Sequence, residues 1–182
     1  MPQIVVLGGP NGAGKSTSAR LLLPDHLGIR EFVNADEIAR GLSAFAPESV
    51  AFEAGRIMLQ RLRALAERQV SFAFETTLAT RSFAPWLREL ATRGSYEVHL
   101  LCVWLRSPEL ALERVAKRVR SGGHHVPPEV VRRRYSRGRA NFLHIYRSLA
   151  VNWEVYDNSE TTPRLIALGS KDERATIYDR AT

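Results

Sequence analysis

The sequence has little cysteine and no long apolar run, and each shortage excludes a class of protein. Cys102 is the single cysteine among 182 residues, so no disulfide can form within the chain. We therefore expect a reducing, cytoplasmic location, and the surrounding VHLLCVWL predicts a small buried side chain rather than a reactive thiol. No apolar stretch approaches the roughly 20 residues that span a bilayer. The first residues also lack the basic region and cleavage site of a signal peptide, so no membrane association is expected.

Lysine is scarce, and acidic residues are almost missing from one basic segment. Only three of the 26 basic residues are lysine, and the net charge is +7. Eight arginines and Lys117 lie between Arg114 and Arg139, against Glu129 alone. A basic block of this kind indicates an anionic partner, either the phosphate groups of a nucleotide or a nucleic acid. It also fits a solvated helix face, and charge alone does not separate these interpretations.

Short apolar runs alternate with helical patterns along a single domain of residues 1–182. The runs QIVVL, EFVNAD, VSFAFETT, YEVHLLCVWL and NWEVYDNS predict strands. Helices are predicted between them, the first ending at Pro24 and the last running from Pro128 to about Leu149. The long helix near residues 46–69 has apolar residues on one face and arginines on the other. This alternation predicts an α/β fold of about five parallel strands with helices on both faces, followed by a C-terminal hairpin or edge strand.

Polar residues cluster at the ends of four predicted strands, at residues 8–17, 34–36, 75–77 and 157–159. In a parallel sheet the ligand crevice lies at the C-terminal ends of the strands. We therefore expect all four clusters to meet in one crevice.

The segment GGPNGAGKST directly follows the first predicted strand. Residues 9–16 match G-x-x-x-x-G-K-[ST] without a mismatch, and the strand before and the helix after strengthen the match. In such a loop the glycines let backbone N–H groups cradle phosphate oxygens, Lys15 bridges the β- and γ-phosphates, and the Ser16 hydroxyl is a ligand of Mg²⁺. We therefore predict that the chain binds ATP or GTP with Mg²⁺. The predicted nucleotide-binding residues are Gly9, Pro10, Asn11, Gly12, Ala13, Gly14, Lys15, Ser16 and Thr17.

Two classes of protein with this loop are excluded by motifs that the chain lacks. Transporter-type and chromosome-maintenance ATPases have an apolar strand that ends in Asp-Glu, together with an LSGGQ-like signature. Here the most apolar strand ends in VWLRSP, and no such signature is present. The N-K-x-D motif by which switch-type GTPases recognise guanine is also absent. The pattern that remains is that of a small-molecule kinase.

Three polar side chains at the strand ends are candidates for the acceptor side of the reaction. Asp36 is the candidate general base, which would aim the acceptor hydroxyl and take its proton, although Asp36 could instead cap the following helix. Glu75 ends an apolar run, where a buried carboxylate needs a partner. We expect that partner to be the substrate or the ligands of Mg²⁺ rather than a purely structural cation. Thr77 would bind the acceptor or, equally, cap the next helix.

The arginine block predicts a helical lid around residues 114–139. Arg114, Lys117 and Arg118 recur at helical spacing, so one helix face presents several cations. Arginines that close over a triphosphate neutralise the charge that develops during transfer. The GGHHVPP stretch supplies flexible and stiff residues for a hinge. Any single arginine could equally be a solvated one, and the two histidines could donate to phosphate but lack the surroundings of a metal site.

The motifs GGPNGAGKST, VNADEIA, FETTL and RVAKRVRSGGHHVP, in this order, give the chain a resemblance to the zeta toxin family of P-loop kinases. The resemblance implies a kinase of UDP-N-acetylglucosamine or a related UDP-sugar, with an antitoxin as a possible partner. It implies that Asp36 is the base and Lys15 the loop lysine, and that Glu75 and Thr77 contact the sugar nucleotide. It also implies that Arg118 is a lid arginine on the phosphates.

The chain departs from that family at two positions. Ala79 stands where better-known members have an arginine after the E-x-T strand end, and His125 stands at the place of their second lid arginine. Arg133 or Arg134 of the following helix can substitute, and we take Arg134 as the second catalytic candidate. These differences leave the identity of the acceptor open.

Two other functions compete with a nucleotide-sugar kinase. The basic block suggests a polynucleotide or RNA kinase, but few aromatic residues lie among the arginines, so nucleic acid is not the expected partner. The chain could also be a nucleotide-gated binding module that binds ATP without transferring phosphate.

Overall fold

The computed structural model of the protein describes residues 1–123, 125–171 and 175–179. In this part of the chain seven strands form one sheet in the order β2-β3-β1-β4-β5-β6-β7. The first five strands in this order are parallel to one another, as predicted. The strands β6 and β7 extend the sheet in antiparallel pairing. The strands are β1 (Gln3–Gly8), β2 (Glu31–Val33), β3 (Phe72–Thr76), β4 (Glu97–Trp104), β5 (Asn152–Asp157), β6 (Arg164–Ser170) and β7 (Thr176–Ile177).

Helices connect the parallel strands, and the longer ones are α-helices with short irregular turns beside them. A 3-10 turn (Pro47–Val50) precedes α3, and a π-helical turn (Phe142–Tyr146) and a 3-10 turn (Arg147–Leu149) follow α6. The α-helices of the described residues are α1 (Lys15–Leu27), α2 (Ala35–Leu42), α3 (Ala51–Glu67), α4 (Phe83–Thr92), α5 (Pro108–Arg120) and α6 (Pro128–Asn141).

One predicted helix end is wrong, and one is confirmed. The backbone of α1 continues past Pro24 to Leu27 and stops at Gly28, whose φ of 64° is the left-handed conformation of a helix C-terminus. A proline costs a helix one hydrogen bond and bends it, but a helix can continue past it. The last helical segment runs to Leu149, as predicted, because the helical backbone continues after Asn141 through the π-helical turn and the 3-10 turn. Tyr146 in that turn is anchored by its hydroxyl, which donates to the carbonyl of Thr80 at 2.6 Å.

Apolar side chains cover both faces of the sheet, which confirms the predicted layers. Along β1 the side chains alternate: Ile4 and Val6 join a core with α3 and α4, whereas Val5 and Leu7 join a core with α1, α5 and α6. The thiol of Cys102 lies in the first core, and burial raises its pKa, so it is the small buried side chain that the sequence predicts. Among the described residues, no helix is long and apolar enough to cross a membrane.

Candidate active site

A cavity of about 1230 Å³ opens at the C-terminal ends of β1, β2 and β3. The strand ends meet there because the strands run parallel and lie side by side in the sheet. Most of the predicted site residues line it, whereas Gly9, Pro10 and Ala13 belong to the same loop without lining the cavity. The predicted residues that do line it are Asn11, Gly12, Gly14, Lys15, Ser16, Thr17, Asp36, Glu75, Thr77, Arg118 and Arg134.

The loop between β1 and α1 has a conformation that only glycine adopts without strain. Gly9 has a φ of 139°, and a Cβ there would lie 2.0 Å from the carbonyl oxygen of Val103 on β4. Gly14 has a φ of 89°, and a Cβ there would lie 2.7 Å from the side-chain nitrogen of Asn158. That nitrogen donates to the carbonyl of Ala13 at 2.7 Å. The loop is therefore fixed against β4 and the end of β5, and α1 begins directly after it, as a phosphate cradle requires.

Lys15 and Glu75 form a buried ion pair at the centre of this loop. The Lys15 side chain is 5% exposed; its Nζ donates to the carbonyl of Pro10 at 2.9 Å and lies 3.4 Å from Oε1 of Glu75. The other carboxylate oxygen of Glu75 accepts from the Ser16 hydroxyl at 2.6 Å and from the Asn34 amide at 2.8 Å. Asn34 lies in a polar strand end, but no sequence motif singles it out.

The oxygen ligands near the loop fit a magnesium ion bound together with a nucleotide. No group of three His, Cys, Asp or Glu side chains gathers as a metal site within the described ranges. Magnesium at phosphate sites needs only one or two protein oxygens, because phosphate and water supply the rest. The Ser16 hydroxyl and the Glu75 carboxylate, 2.6 Å apart, offer those oxygens.

Asp36 lies in the first turn of α2 and lines the cavity. The alternative role of Asp36 as the helix cap is wrong, because Asn34 is the N-cap and its side-chain oxygen accepts from the Asp36 backbone N–H at 2.8 Å. Capping by Asn34 leaves the Asp36 carboxylate available to the cavity. The same carboxylate interacts electrostatically with Arg134.

Three arginines of the basic segment line the cavity, namely Arg114 and Arg118 of α5 and Arg134 of α6. Arg114 donates to the carbonyl of Ser159 at 2.9 Å, and a nitrogen of Arg134 lies 3.5 Å from the side-chain oxygen of Asn11. Burial lowers the pKa of the Arg134 guanidinium, and Asp36 opposes this shift. A partly desolvated arginine of this kind interacts strongly with an anion that enters the cavity.

Other predicted lid residues point elsewhere or lie outside the described part of the chain. Arg133, the alternative to Arg134, is exposed and does not line the cavity; neither does Lys117 or the exposed His125. His124 is outside the described residues.

Thr77 and the fourth polar cluster require one correction each. Thr77 lines the cavity and does not cap the next helix, because α4 has its N-cap position at Ser82.

The cluster at residues 157–159 was expected in the crevice, but none of its residues lines the cavity. Its side chains instead hold neighbouring backbone: Asp157 accepts from the Ser159 backbone N–H, and Ser159 accepts from the Arg106 backbone N–H at 2.8 Å.

The sheet order, the phosphate-binding loop and the arginines beside it define a P-loop protein with the α/β fold of kinases. A family model described as an AAA domain matches residues 4–144, more than half of the chain. The chain belongs to this family.

The chain is similar in sequence to one curated protein and in fold to several solved structures. An uncharacterized protein of Haemophilus influenzae (strain ATCC 51907 / DSM 11121 / KW20 / Rd) is 31% identical over 127 residues, covering 70% of this chain and 88% of that protein. A chain in the crystal structure of AvrRxo1-ORF1:AvrRxo1-ORF2 with sulphate ions superposes with a TM-score of 0.77 at 18% identity. That match covers 97% of this chain but only 61% of the other. A chain of the PezAT chromosomal toxin-antitoxin system of Streptococcus pneumoniae gives a TM-score of 0.62 at 17% identity, covering 92% and 72%.

Proposed function

We propose that the protein is an ATP-dependent kinase that transfers the γ-phosphoryl group to a hydroxyl of a small molecule. The observation that carries this proposal is the meeting of Lys15, Asp36 and Arg134 in one cavity beside the phosphate-binding loop. A nucleotide site alone needs no carboxylate on its open side, whereas a kinase needs one to orient the acceptor hydroxyl. AvrRxo1-ORF1:-ORF2, which shares the fold, has been solved with ATP, and this favours ATP as the donor.

Different residues of the chain have separate roles in the transfer. Backbone N–H groups of the loop bind the phosphates, and the Lys15 ammonium exchanges its contacts with Pro10 and Glu75 for phosphate oxygens. Magnesium, held through Ser16, would neutralise phosphate charge when bound. The Asp36 carboxylate orients the acceptor hydroxyl and receives its proton as the oxygen forms its bond to phosphorus. The leaving phosphate oxygen keeps the electron pair of the broken bond.

Arg118 and Arg134 are the proposed arginines of the transition state. Both line the cavity from the helices of the predicted lid, residues 114–139. Guanidinium groups there offset the negative charge that spreads over the transferred group. The interaction of Arg134 with Asp36 would also keep that carboxylate beside the reacting centre.

A nucleotide-sugar such as UDP-N-acetylglucosamine is the acceptor that we favour. The support is the resemblance of the motifs to zeta toxins, together with the structural likeness to a chain of a toxin-antitoxin system. On the same basis an antitoxin is a proposed protein partner. In this scheme Thr77 contacts the acceptor, whereas the contacts of Glu75 with Lys15 and Ser16 favour a role on the nucleotide side.

A polynucleotide kinase is the second candidate, and one feature of α6 favours it. Arg133 and Arg137 are exposed, one helical turn apart, and neither is ion-paired with another described residue. Nucleic acid bound there would be released steeply as salt rises.

The test is to incubate the protein with γ-labelled ATP, Mg²⁺ and a pool of cell metabolites, and to identify labelled products by mass spectrometry. Parallel reactions contain UDP-N-acetylglucosamine alone and RNA with a 5′-hydroxyl. The proposal expects label on a small molecule. Label on the RNA would establish the second candidate, and ATP binding without any labelled product would make the protein a binding module.

A further inference from the structure

The loop between β3 and α4, residues 77–82, contains a backbone conformation that its sequence does not favour. Leu78 has a φ of 58°, in the left-handed region that is unfavourable for residues other than glycine. Its side chain is fully buried and lies over the end of β1, where a Cβ on Gly8 would be 2.6 Å from a methyl carbon of Leu78. Such conformations persist only where the surrounding structure holds them, and they cluster at active sites.

The same loop brings hydroxyl groups to the cavity. Thr77, Thr80 and Ser82 all line it. The hydroxyls of Thr80 and Ser82 share a hydrogen bond at 2.8 Å. A hydroxyl both donates and accepts, so this row suits a polar ligand that carries hydroxyls of its own. The row can orient such a ligand only if the backbone that carries it is fixed.

The helix α6 holds the loop from one side. A Cβ on Gly138 would lie 2.4 Å from the carbonyl oxygen of Thr77, so glycine is needed for the helix to lie this close to the loop. Asn141, which is buried, uses both ends of its amide. Its nitrogen donates to the carbonyl of Leu78 at 2.8 Å, and its oxygen accepts from Nε of Arg81 at 3.3 Å. The unfavourable conformation of Leu78 therefore has a buried hydrogen-bond partner on a distant part of the chain.

The π-helical turn after α6 adds a further contact. Tyr146 in this turn donates its hydroxyl to the carbonyl of Thr80 at 2.6 Å. Burial raises the pKa of Tyr146 to about 12, so the hydroxyl keeps its proton at neutral pH. A π-helical turn is rare, and it changes the direction of the side chains that follow it. Two uncommon backbone features, the left-handed Leu78 and the π-helical turn, thus meet at one loop.

We infer that Asn141 and Tyr146 are positioning residues for phosphoryl transfer, which hold the β3–α4 loop so that Thr77 and Thr80 meet the acceptor in a fixed geometry. Neither Asn141 nor Tyr146 lines the cavity, so each acts through the loop. The same helix, α6, carries Arg134, the proposed arginine of the transition state. The inference rests on the proposed function, because it concerns the acceptor side of that reaction, but it does not depend on which small molecule is the acceptor.

Tyr146→Phe is the decisive variant, and Tyr96→Phe is its matched control. The two tyrosines are equally buried, each 2% exposed, and the Tyr96 hydroxyl donates to the carbonyl of Val70 at 3.0 Å. Tyr96 directly precedes β4, at the opposite end of the sheet from the cavity. Each variant loses one oxygen atom and one buried hydrogen bond, so each should lower Tm by roughly 3 °C. Only Tyr146→Phe should change the transfer reaction.

Transfer from γ-labelled ATP to graded dilutions of a pool of cell metabolites gives kcat and an apparent KM without knowledge of the acceptor. The apparent KM should rise about fivefold in Tyr146→Phe and about tenfold in Asn141→Ala, because a loop that is free to move must be ordered when the acceptor binds. The affinity for AMP-PNP with Mg²⁺, measured by calorimetry, should stay within about twofold of that of the unmodified protein. This split distinguishes positioning of the acceptor from a general loss of structure.

Hydrogen exchange provides a readout that needs no acceptor. The backbone N–H groups of residues 77–82 should exchange about tenfold faster in Asn141→Ala and Tyr146→Phe, since the loop loses a contact that holds it. Their exchange should be unchanged in Tyr96→Phe. Tyr146→Phe removes a single oxygen atom, so the test does not depend on whether Asn141→Ala folds.

Gly138→Ala tests the close approach of α6 to the loop, and Gly41→Ala is its control. The added methyl group at residue 138 must displace the carbonyl of Thr77, so the apparent KM should rise about tenfold. Gly41 lies in α2 with no heavy atom within 4 Å of a built Cβ, and it does not line the cavity. Gly41→Ala should therefore leave the apparent KM unchanged.

The outcomes that overturn the inference differ from failure of the proposed kinase. A protein that labels the pool with the same apparent KM in Tyr146→Phe as in the unmodified form overturns the inference alone. So does an equal effect of Tyr146→Phe and Tyr96→Phe on loop exchange, or a loss of AMP-PNP affinity that matches the rise in apparent KM. If the unmodified protein labels no small molecule, the kinase is rejected and the inference with it.

Discussion

The two sides of the cavity are built differently. On the nucleotide side, Lys15, Asn34 and Glu75 are buried or half-buried and bound to one another and to the loop backbone. On the α3 side, Phe52 and Arg56 are exposed and have no comparable contacts among the described residues. The first side is organised before any ligand arrives, which lowers the cost of binding phosphate. The second has exposed side chains that are not held by comparable contacts.

Removal of the loop lysine should have the largest effect, and it is confined to the nucleotide side. Lys15→Ala should lower kcat for transfer by about a thousandfold or more, because the charge that stabilises the transferred group is lost. Lys171→Ala is the control, since Lys171 is exposed. Phosphate transfer is followed with labelled ATP. Unchanged turnover in Lys15→Ala would mean that the loop does not act on phosphate.

Asp36 lies where the two sides meet, and its removal should separate binding from transfer. Asp36→Asn should reduce kcat by at least about a hundredfold, because the acceptor proton loses its base. The affinity for AMP-PNP and the Tm should be nearly unchanged, since Asn34 caps α2. Steady-state kinetics, calorimetry and a melting curve give the three values. A joint fall in affinity and Tm would instead assign Asp36 a structural role.

Two arginines one turn apart on α6 allow the effect of a charge inside the cavity to be compared with that of a charge on the protein surface. Arg134→Ala should reduce kcat by about fiftyfold, because a desolvated guanidinium beside the transferred group is removed. Arg137→Ala should leave kcat unchanged, since this exposed residue does not line the cavity. Equal losses in the two variants would show that the basic segment acts through its overall charge.

The smallest expected effect is on stability. It is measured by breaking a buried ion pair and an exposed one and comparing the free energies of unfolding. Glu75→Gln should lower the free energy of unfolding by about 2 kcal/mol, because Lys15 loses its counter-charge and the donors Ser16 and Asn34 lose a charged acceptor. Glu31→Gln breaks the exposed pair with Arg61 and should cost less than about 1 kcal/mol. Urea unfolding measures both. Equal costs would show that the nucleotide side is not pre-organised by this pair.

The parts of the fold that could be predicted depend on local sequence. The loop glycines, the five parallel strands and three of the four polar strand ends each have a short-range pattern, and the structure places them as expected. The change from α to π geometry at Phe142 was not predicted, and Tyr146 in that turn makes its hydrogen bond to Thr80, which is far away in sequence. Asp36 was considered as the cap of α2, but Asn34 takes that position; both residue types are good caps, and the path of the backbone decides between them.

The α3 side of the cavity was harder to predict, because its sequence pattern is that of an ordinary solvated helix face. The sequence pattern of α3 assigns Arg56 to the face opposite the core, which is correct. The pattern does not tell whether that face borders water or a cavity. This depends on the sheet order, which places the ends of β1 and β3 next to each other. The same limit applies to Arg133 and Arg134, neighbours whose different directions follow from how α6 packs.

The sheet order described above also bears on self-association. The two outermost strands, β2 with three residues and β7 with two, are the shortest in the described part of the sheet. An outer strand exposes unsatisfied backbone donors and acceptors that can recruit another chain, and a brief one offers few of them. Concentrated solutions of the protein should therefore resist aggregation through strand addition, even though the sheet is open at both margins.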